Sequence, residues 1–88
     1  EVSDNARIYG YATVFEDAMV YGKANIYDNA EIYGKARVYG NAEVYDNARV
    51  YGNAKVCDDA YIYNNAKICG NAKVYGNMEV YGNTKFGE

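Results

Sequence analysis

The chain has 88 residues, with 9 Lys and Arg against 12 Asp and Glu, and its formal net charge is -3 at pH 7. That length allows one small domain, and the weak acidic balance argues against binding to nucleic acid or to an anionic membrane surface. No apolar run approaches the ~20 residues that span a bilayer. We therefore expect neither a nucleic-acid partner nor a membrane partner.

A six-residue repeat runs through the chain without insertion or deletion. Written in sixes from Ala6, the sequence opens ARIYGY, ATVFED, AMVYGK and ANIYDN, and the pattern continues to the last residues. The first position is Ala in every repeat up to Ala72, after which Met78 and Thr84 replace it. The third position is always apolar, the second is mostly polar and the fourth is usually Tyr. We interpret residues 1–88 as one repeat domain taken from a longer repeat protein.

Each hexapeptide is expected to form a very short strand followed by a corner. Positions one and three alternate with positions two and four, which is strand periodicity, so Ala and the Val or Ile point inward. The charged residue and the Tyr then point outward. Positions five and six are mostly Gly, Asn, Asp or Lys, and Gly, Asn and Asp tolerate the positive φ of a tight corner. A helix is excluded, because a period of six scatters apolar residues around its 3.6-residue turn.

The repeats near the two ends depart from the pattern of the middle. Tyr11 and Phe15 make the N-terminal repeats irregular, while Met78 and Phe86 are larger than their equivalents and are candidates to plug the last coil. No amphipathic helix that would cap either end is visible. Open strand edges at the coil ends would be sticky unless they are covered.

The run V-Y-G-N-A-R, repeated in one register, resembles the hexapeptide of left-handed β-helix proteins, which often reads I-G-D-N-A-x. The resemblance covers the whole chain and is closest to bacterial N-A-x-V-x-G repeat proteins described as acyltransferase-like. It implies an all-β fold, a single-stranded left-handed parallel β-helix with three hexapeptides per coil and about five coils. At ~4.8 Å per parallel strand, such a prism is ~23 Å long. The chain departs from the family in placing Tyr after the inward aliphatic residue.

With three repeats per coil, every third repeat stacks, and the outward Tyr residues fall into columns. The fourth-position residues form three columns. Two of them are interrupted by a cysteine, and the third is an unbroken ladder of Tyr residues. Rings at strand spacing can stack in offset fashion, each contact adding ~0.5–1 kcal/mol. We take this ladder as the candidate interaction surface: Tyr9, Tyr27, Tyr45, Tyr63 and Tyr81.

The second-position residues form three further columns that carry the charge. The column beside the Tyr ladder is neutral to acidic, and the other two become basic toward the C-terminus. Two interpretations stay open: the charges solvate the surface, or they form a sign-matched contact between prisms.

The two cysteines, Cys57 and Cys69, fall in different columns at different corners. Their Cα atoms should therefore lie beyond the ~7 Å limit for a disulfide. We expect both to stay as thiols at semi-exposed positions, which leans weakly toward a reducing compartment and leaves the localisation otherwise open.

No residue pattern points to catalysis, to a cofactor or to a metal site. The chain has no His, so Cys57 and Cys69 have no imidazole base to activate them, and no carboxylate stands out as a general base. We predict a protein that is not an enzyme and needs no cofactor.

The favoured interpretation is a structural or interaction solenoid that binds itself, end to end through open coil ends or side by side through Tyr-rich faces. Two alternatives are the β-helix segment of an acyltransferase-like enzyme and a glycan-binding aromatic surface.

Overall fold

A computed structural model describes residues 1–87 as an all-β parallel solenoid. Each strand is two residues long and holds the second and third positions of one repeat. The fourteen strands are β1 Arg7–Ile8, β2 Thr13–Val14, β3 Met19–Val20, β4 Asn25–Ile26, β5 Glu31–Ile32, β6 Arg37–Val38, β7 Glu43–Val44, β8 Arg49–Val50, β9 Lys55–Val56, β10 Tyr61–Ile62, β11 Lys67–Ile68, β12 Lys73–Val74, β13 Glu79–Val80 and β14 Lys85–Phe86.

The strands form three parallel sheets, which are the three sides of a prism. We call the sheet β1-β4-β7-β10-β13 the ladder side, β2-β5-β8-β11-β14 the mixed side, and β3-β6-β9-β12 the basic side. Val2 extends the basic side by an isolated bridge to Val20. Each strand pairs with the strand one coil later, so that Arg7 lies beside Asn25.

The predicted fold class is therefore confirmed in its class, its repeat and its three hexapeptides per coil. Fourteen strands at three per coil make four complete coils and part of a fifth, slightly fewer than the five expected. The left hand of the crossover, which the resemblance implies, stays a prediction.

The core consists of the two inward positions of each repeat, as the alternation predicted. From Ala18 to Ile68, every first- and third-position side chain has no exposed surface. Burying each Val or Ile contributes ~1.5–2 kcal/mol. Of the two residues expected to plug the last coil, Phe86 packs against the core, whereas Met78 is 37% exposed.

Every corner turns at the fifth position with a positive φ. Gly occupies most of these positions, and six other residues hold φ between 58° and 60°: Asp4, Glu16, Asp28, Asp46, Asp58 and Asn64. Each of the six side chains accepts a hydrogen bond from the backbone N–H of the fifth-position residue one coil later. The shortest of these bonds runs 2.8 Å from the Gly34 nitrogen to Glu16 Oε1. This bond to the next coil accompanies a backbone conformation that residues other than Gly rarely adopt.

At most of the glycine corners, the backbone of the neighbouring coil leaves little room for a Cβ. A Cβ on Gly34, where φ is +67°, would lie 2.9 Å from the Gly52 nitrogen. We expect Gly34→Ala to lower the free energy of unfolding by ~1–2 kcal/mol through the positive φ alone, and by more through that contact. Gly34→Asn should lose less, because its amide oxygen can accept the Gly52 N–H in the way that Asn64 Oδ1 accepts the Gly82 N–H at 3.1 Å.

Thermal unfolding of the parent and the two variants tests this ranking. Gly76→Ala is the control for backbone strain alone, because φ is +62° there and nothing lies within 4 Å of the added Cβ. Equal melting temperatures for Gly34→Ala and Gly34→Asn would contradict the proposed role of the corner hydrogen bond.

Candidate interaction surface

The ladder predicted from the sequence is assembled in the structure. Successive ring centroids lie 5.0, 4.9, 5.2 and 5.4 Å apart, and no pair of planes is inclined by more than 11°. The parallel pairing of the strands sets this spacing, since neighbouring strands in a sheet lie ~4.8 Å apart. All five residues are brought together: Tyr9, Tyr27, Tyr45, Tyr63 and Tyr81.

The other two aromatic columns stack in the same way but are shorter. Phe15, Tyr33 and Tyr51 stack at 5.0 Å on the mixed side, and Tyr21 and Tyr39 stack at 4.9 Å on the basic side. Both columns stop where a cysteine takes the fourth position. The ladder side therefore carries the longest continuous aromatic surface.

Tyr61 belongs to the same surface, although the sequence pattern did not single it out. It occupies the second position of its repeat, lies on β10 and is 38% exposed. Its neighbours in the column are Glu43 and Glu79. The signal available in the sequence was its residue type, because Tyr is unusual at a position that is otherwise mostly charged or polar.

Two of the ladder hydroxyls are hydrogen-bonded to carboxylates. Tyr27 Oη donates to Glu43 Oε1 at 3.0 Å, and Tyr63 Oη donates to Glu79 Oε1 at 3.0 Å. Partial burial, followed by the hydrogen bond and the charge of Glu43, raises the pKa of Tyr27 well above its usual value. The hydrogen bond to Glu79 is the largest cause that raises the pKa of Tyr63. The phenols therefore stay neutral, and the carboxylates stay ordered beside the ladder.

Alkaline pH should weaken the fold through these phenols. Because folding raises the pKa of Tyr27, its contribution to stability is complete below the unfolded value of ~10 and is lost as the pH rises through the folded value. The double variant Glu43→Gln/Glu79→Gln keeps an oxygen acceptor at both sites and removes both charges. We expect its tyrosines to ionise at lower pH than those of the parent.

Ultraviolet absorbance of tyrosinate across a pH titration measures this difference, and thermal unfolding at each pH measures the loss of stability. Asp59→Asn is the control, since it removes an exposed carboxylate that touches no ring of the ladder. Superimposable titration curves for the double variant and the parent would mean that the carboxylates do not hold the phenols neutral.

The cysteines lie at different corners, as predicted, and no disulfide joins them. The expectation that both are semi-exposed is right for Cys57 and wrong for Cys69, which is 1% exposed. The strand end at Phe86 and Gly87 covers Cys69: its backbone N–H donates to the Phe86 carbonyl at 3.0 Å, and its Sγ lies 3.8 Å from the same oxygen. Gly87 stands where the other columns have an aromatic ring, and a Cβ added there would clash with the Cys69 carbonyl oxygen.

The three sides differ in charge. The outward column of the basic side contains Arg37, Lys55 and Lys73, and that of the ladder side contains Glu43 and Glu79. The mixed side carries both signs, and its Arg49 Nε lies 3.6 Å from Glu31 Oε1. This is the only ion pair within residues 1–87. The cations of the basic side thus have no carboxylate partner within that range.

A polar cavity of about 710 Å³ follows the corner between the ladder side and the mixed side. Its walls are a double row of fifth- and sixth-position residues, among them Asp28, Asn29, Asp46 and Asn47. In the described chain, no three acidic, His or Cys side chains converge as a metal site would require. The cavity offers exposed amides and carboxylates. A glycan partner, given above only as an alternative on the basis of the exposed Tyr rings, stays a prediction.

Residues 42–58 match the family model of the YdcK β-solenoid repeat. The chain is a repeat β-helix protein. The matched stretch contains β7, β8 and β9, which together make almost one coil. Neither the curated proteins nor the solved structures gave a significant match. The likeness to acyltransferase-like proteins therefore stays a prediction.

The described residues include no helix with the length and apolar character of a membrane span.

Proposed function

We propose that this chain is a non-catalytic structural solenoid that self-associates side by side through its ladder side. The observation that carries the proposal is a continuous column of stacked rings next to an exposed Tyr61. Tyr9 and Tyr81 are 50% and 55% exposed, so the column also presents apolar surface at both of its ends. Contiguous exposed aromatic surface marks contact sites more often than it serves a solitary domain.

The stacked rings favour association because they are already ordered before contact. Immobilising a flexible side chain at an interface costs ~0.5–1.5 kcal/mol. A ring held between two others, as Tyr45 is between Tyr27 and Tyr63, has little freedom left to lose. A flat, preformed surface can therefore bind with few contacts.

The size of one side limits how tightly it can bind. The whole molecule measures 28 × 24 × 22 Å, which limits a flat contact through one side to the ~800 Å² per partner of a standard interface. We expect weak, concentration-dependent association, which has to be measured up to millimolar protein.

Tyr61→Lys is the most direct test of the proposal. Lys already occupies the second position in other repeats, so the substitution suits the fold. It places a positive charge on β10, the fourth of the five strands of the ladder side. We expect the dissociation constant for self-association to rise by about tenfold or more, because the variant loses aromatic contact and must desolvate an ammonium group.

Light scattering and sedimentation across concentration measure the effect, with Thr13→Lys as the matched control on the mixed side. A parent chain that stays monomeric at millimolar concentration would overturn the proposal. So would association of Tyr61→Lys that equals the parent's, which is the result expected if the chain associates end to end through coil ends.

The glycan-binding and acyltransferase-like alternatives stay as predictions. No specific contact in the described residues favours either over self-association.

A further inference from the structure

We infer that the ladder side of one copy docks on the basic side of a second copy, with the two prism axes parallel. This inference rests on the proposed self-association and adds the partner surface and its register. The observation behind it is that the outward columns of these two sides carry charges of opposite sign in the same order and at the same spacing.

The two outward columns have complementary sequences when they are read from the N-terminal coil onward. The ladder side reads Arg7, Asn25, Glu43, Tyr61, Glu79. The basic side, with Glu1 in the same column ahead of β3, reads Glu1, Met19, Arg37, Lys55, Lys73. Each residue of the second column precedes its counterpart in the first by one hexapeptide, which is a third of a coil. When two copies stand at the same height along their axes, paired residues therefore differ in height by only ~1.6 Å.

Docking in this register opposes unlike groups at every charged position. Glu43 meets Arg37 and Glu79 meets Lys73, and each pair is two coils from the other on both sides. Between them, Tyr61 meets Lys55, so that an ammonium group faces an exposed ring, an arrangement that the electrostatics of the ring favour. The carboxylates remain able to accept these bonds, because each has one oxygen beyond that taken by a Tyr hydroxyl.

The other possible partner sides match less well. The mixed side also carries three cations, Arg49, Lys67 and Lys85. However, Arg49 already pairs with Glu31, and the residue opposite Arg7 is the uncharged Thr13. If two ladder sides met across a twofold axis, the central pair would be two Glu43 carboxylates. Like charges placed opposite one another disfavour that contact.

Two double variants separate these arrangements. Glu43→Lys/Glu79→Lys reverses the ladder side, and Lys55→Glu/Lys73→Glu reverses the basic side. Both Glu and Lys occur at the second position elsewhere in the repeat, which suits the changes to the fold. Lys67→Glu/Lys85→Glu makes the same change of charge on the mixed side and is the matched control.

Sedimentation up to millimolar concentration is the measurement. We expect each reversed variant alone to associate at least about tenfold more weakly than the parent, and the control to associate as the parent does. An equimolar mixture of the two reversed variants should regain association, because the intact ladder side of one variant can dock on the intact basic side of the other. Parent association should also weaken from low to high salt, since these pairs lie near the surface.

The outcomes distinguish the inference from the proposed function. If the reversed basic side associates as well as the parent while the reversed ladder side does not, the ladder contacts itself or the mixed side, and the inference is wrong while self-association stands. A control as weak as the reversed basic side would likewise overturn the inference. If circular dichroism shows that the variants do not fold, the salt dependence of the parent becomes the test. Parent association that does not change with salt concentration would then overturn the inference. A parent chain that never associates would overturn both the inference and the proposed function.

Discussion

Val44→Asp is expected to abolish folding at room temperature. Val44 has no exposed surface and lies in the middle coil, paired between Ile26 and Ile62 of the same sheet. The substitution removes ~1.5–2 kcal/mol of apolar burial and places a carboxylate where no described group can pair with it. The sum exceeds ~4 kcal/mol, which is most of the stability of a small domain.

Circular dichroism and urea unfolding of the purified variant provide the test. Lys67→Asp, at an exposed position of β11, places the same side chain outside the prism. It should change the free energy of unfolding by only a few tenths of a kcal/mol. A Val44→Asp protein that melts with the parent would mean that the third position does not point inward.

Ala48→Leu should be the second most damaging change, through overpacking. Ala48 has no exposed surface and is stacked between Ala30 and Ala66, which occupy the same position one coil away on either side. Three added carbons have no space there, so side chains or the corner must shift, at a cost of ~1–3 kcal/mol or more. Stacked repeats raise that cost, because a displaced coil disturbs both neighbours.

Ala72→Leu is the matched comparison for Ala48→Leu. Ala72 is only half-buried, and the next first-position residue of the chain, Met78, extends a long side chain that is 37% exposed. We expect Ala72→Leu to change the urea midpoint much less than Ala48→Leu does. Equal midpoints for the two variants would show that the middle of the prism has room at the first position.

The sequence predicts the framework of this molecule because the framework is periodic. A six-residue register with Ala and Val or Ile two positions apart indicates a strand and a corner in each repeat, and residues such as Ala42 and Val44 are fully buried accordingly. The three-repeat coil came from the resemblance, and the pairing of Arg7 with Asn25 confirms it. Once the coil length is known, each column follows by counting, which is why the Tyr ladder could be named in advance.

The tertiary structure decided the contacts that link one coil to the next. The bond from Tyr27 to Glu43, the support of Glu16 at positive φ and the burial of Cys69 each join atoms sixteen to eighteen residues apart in the chain. Such contacts depend on side-chain rotamers and on distances of a few tenths of an ångström, and a hydrophobic period carries no information about either. The sequence by itself therefore determined which way each residue points, and only the packed coils determined which atoms each residue touches.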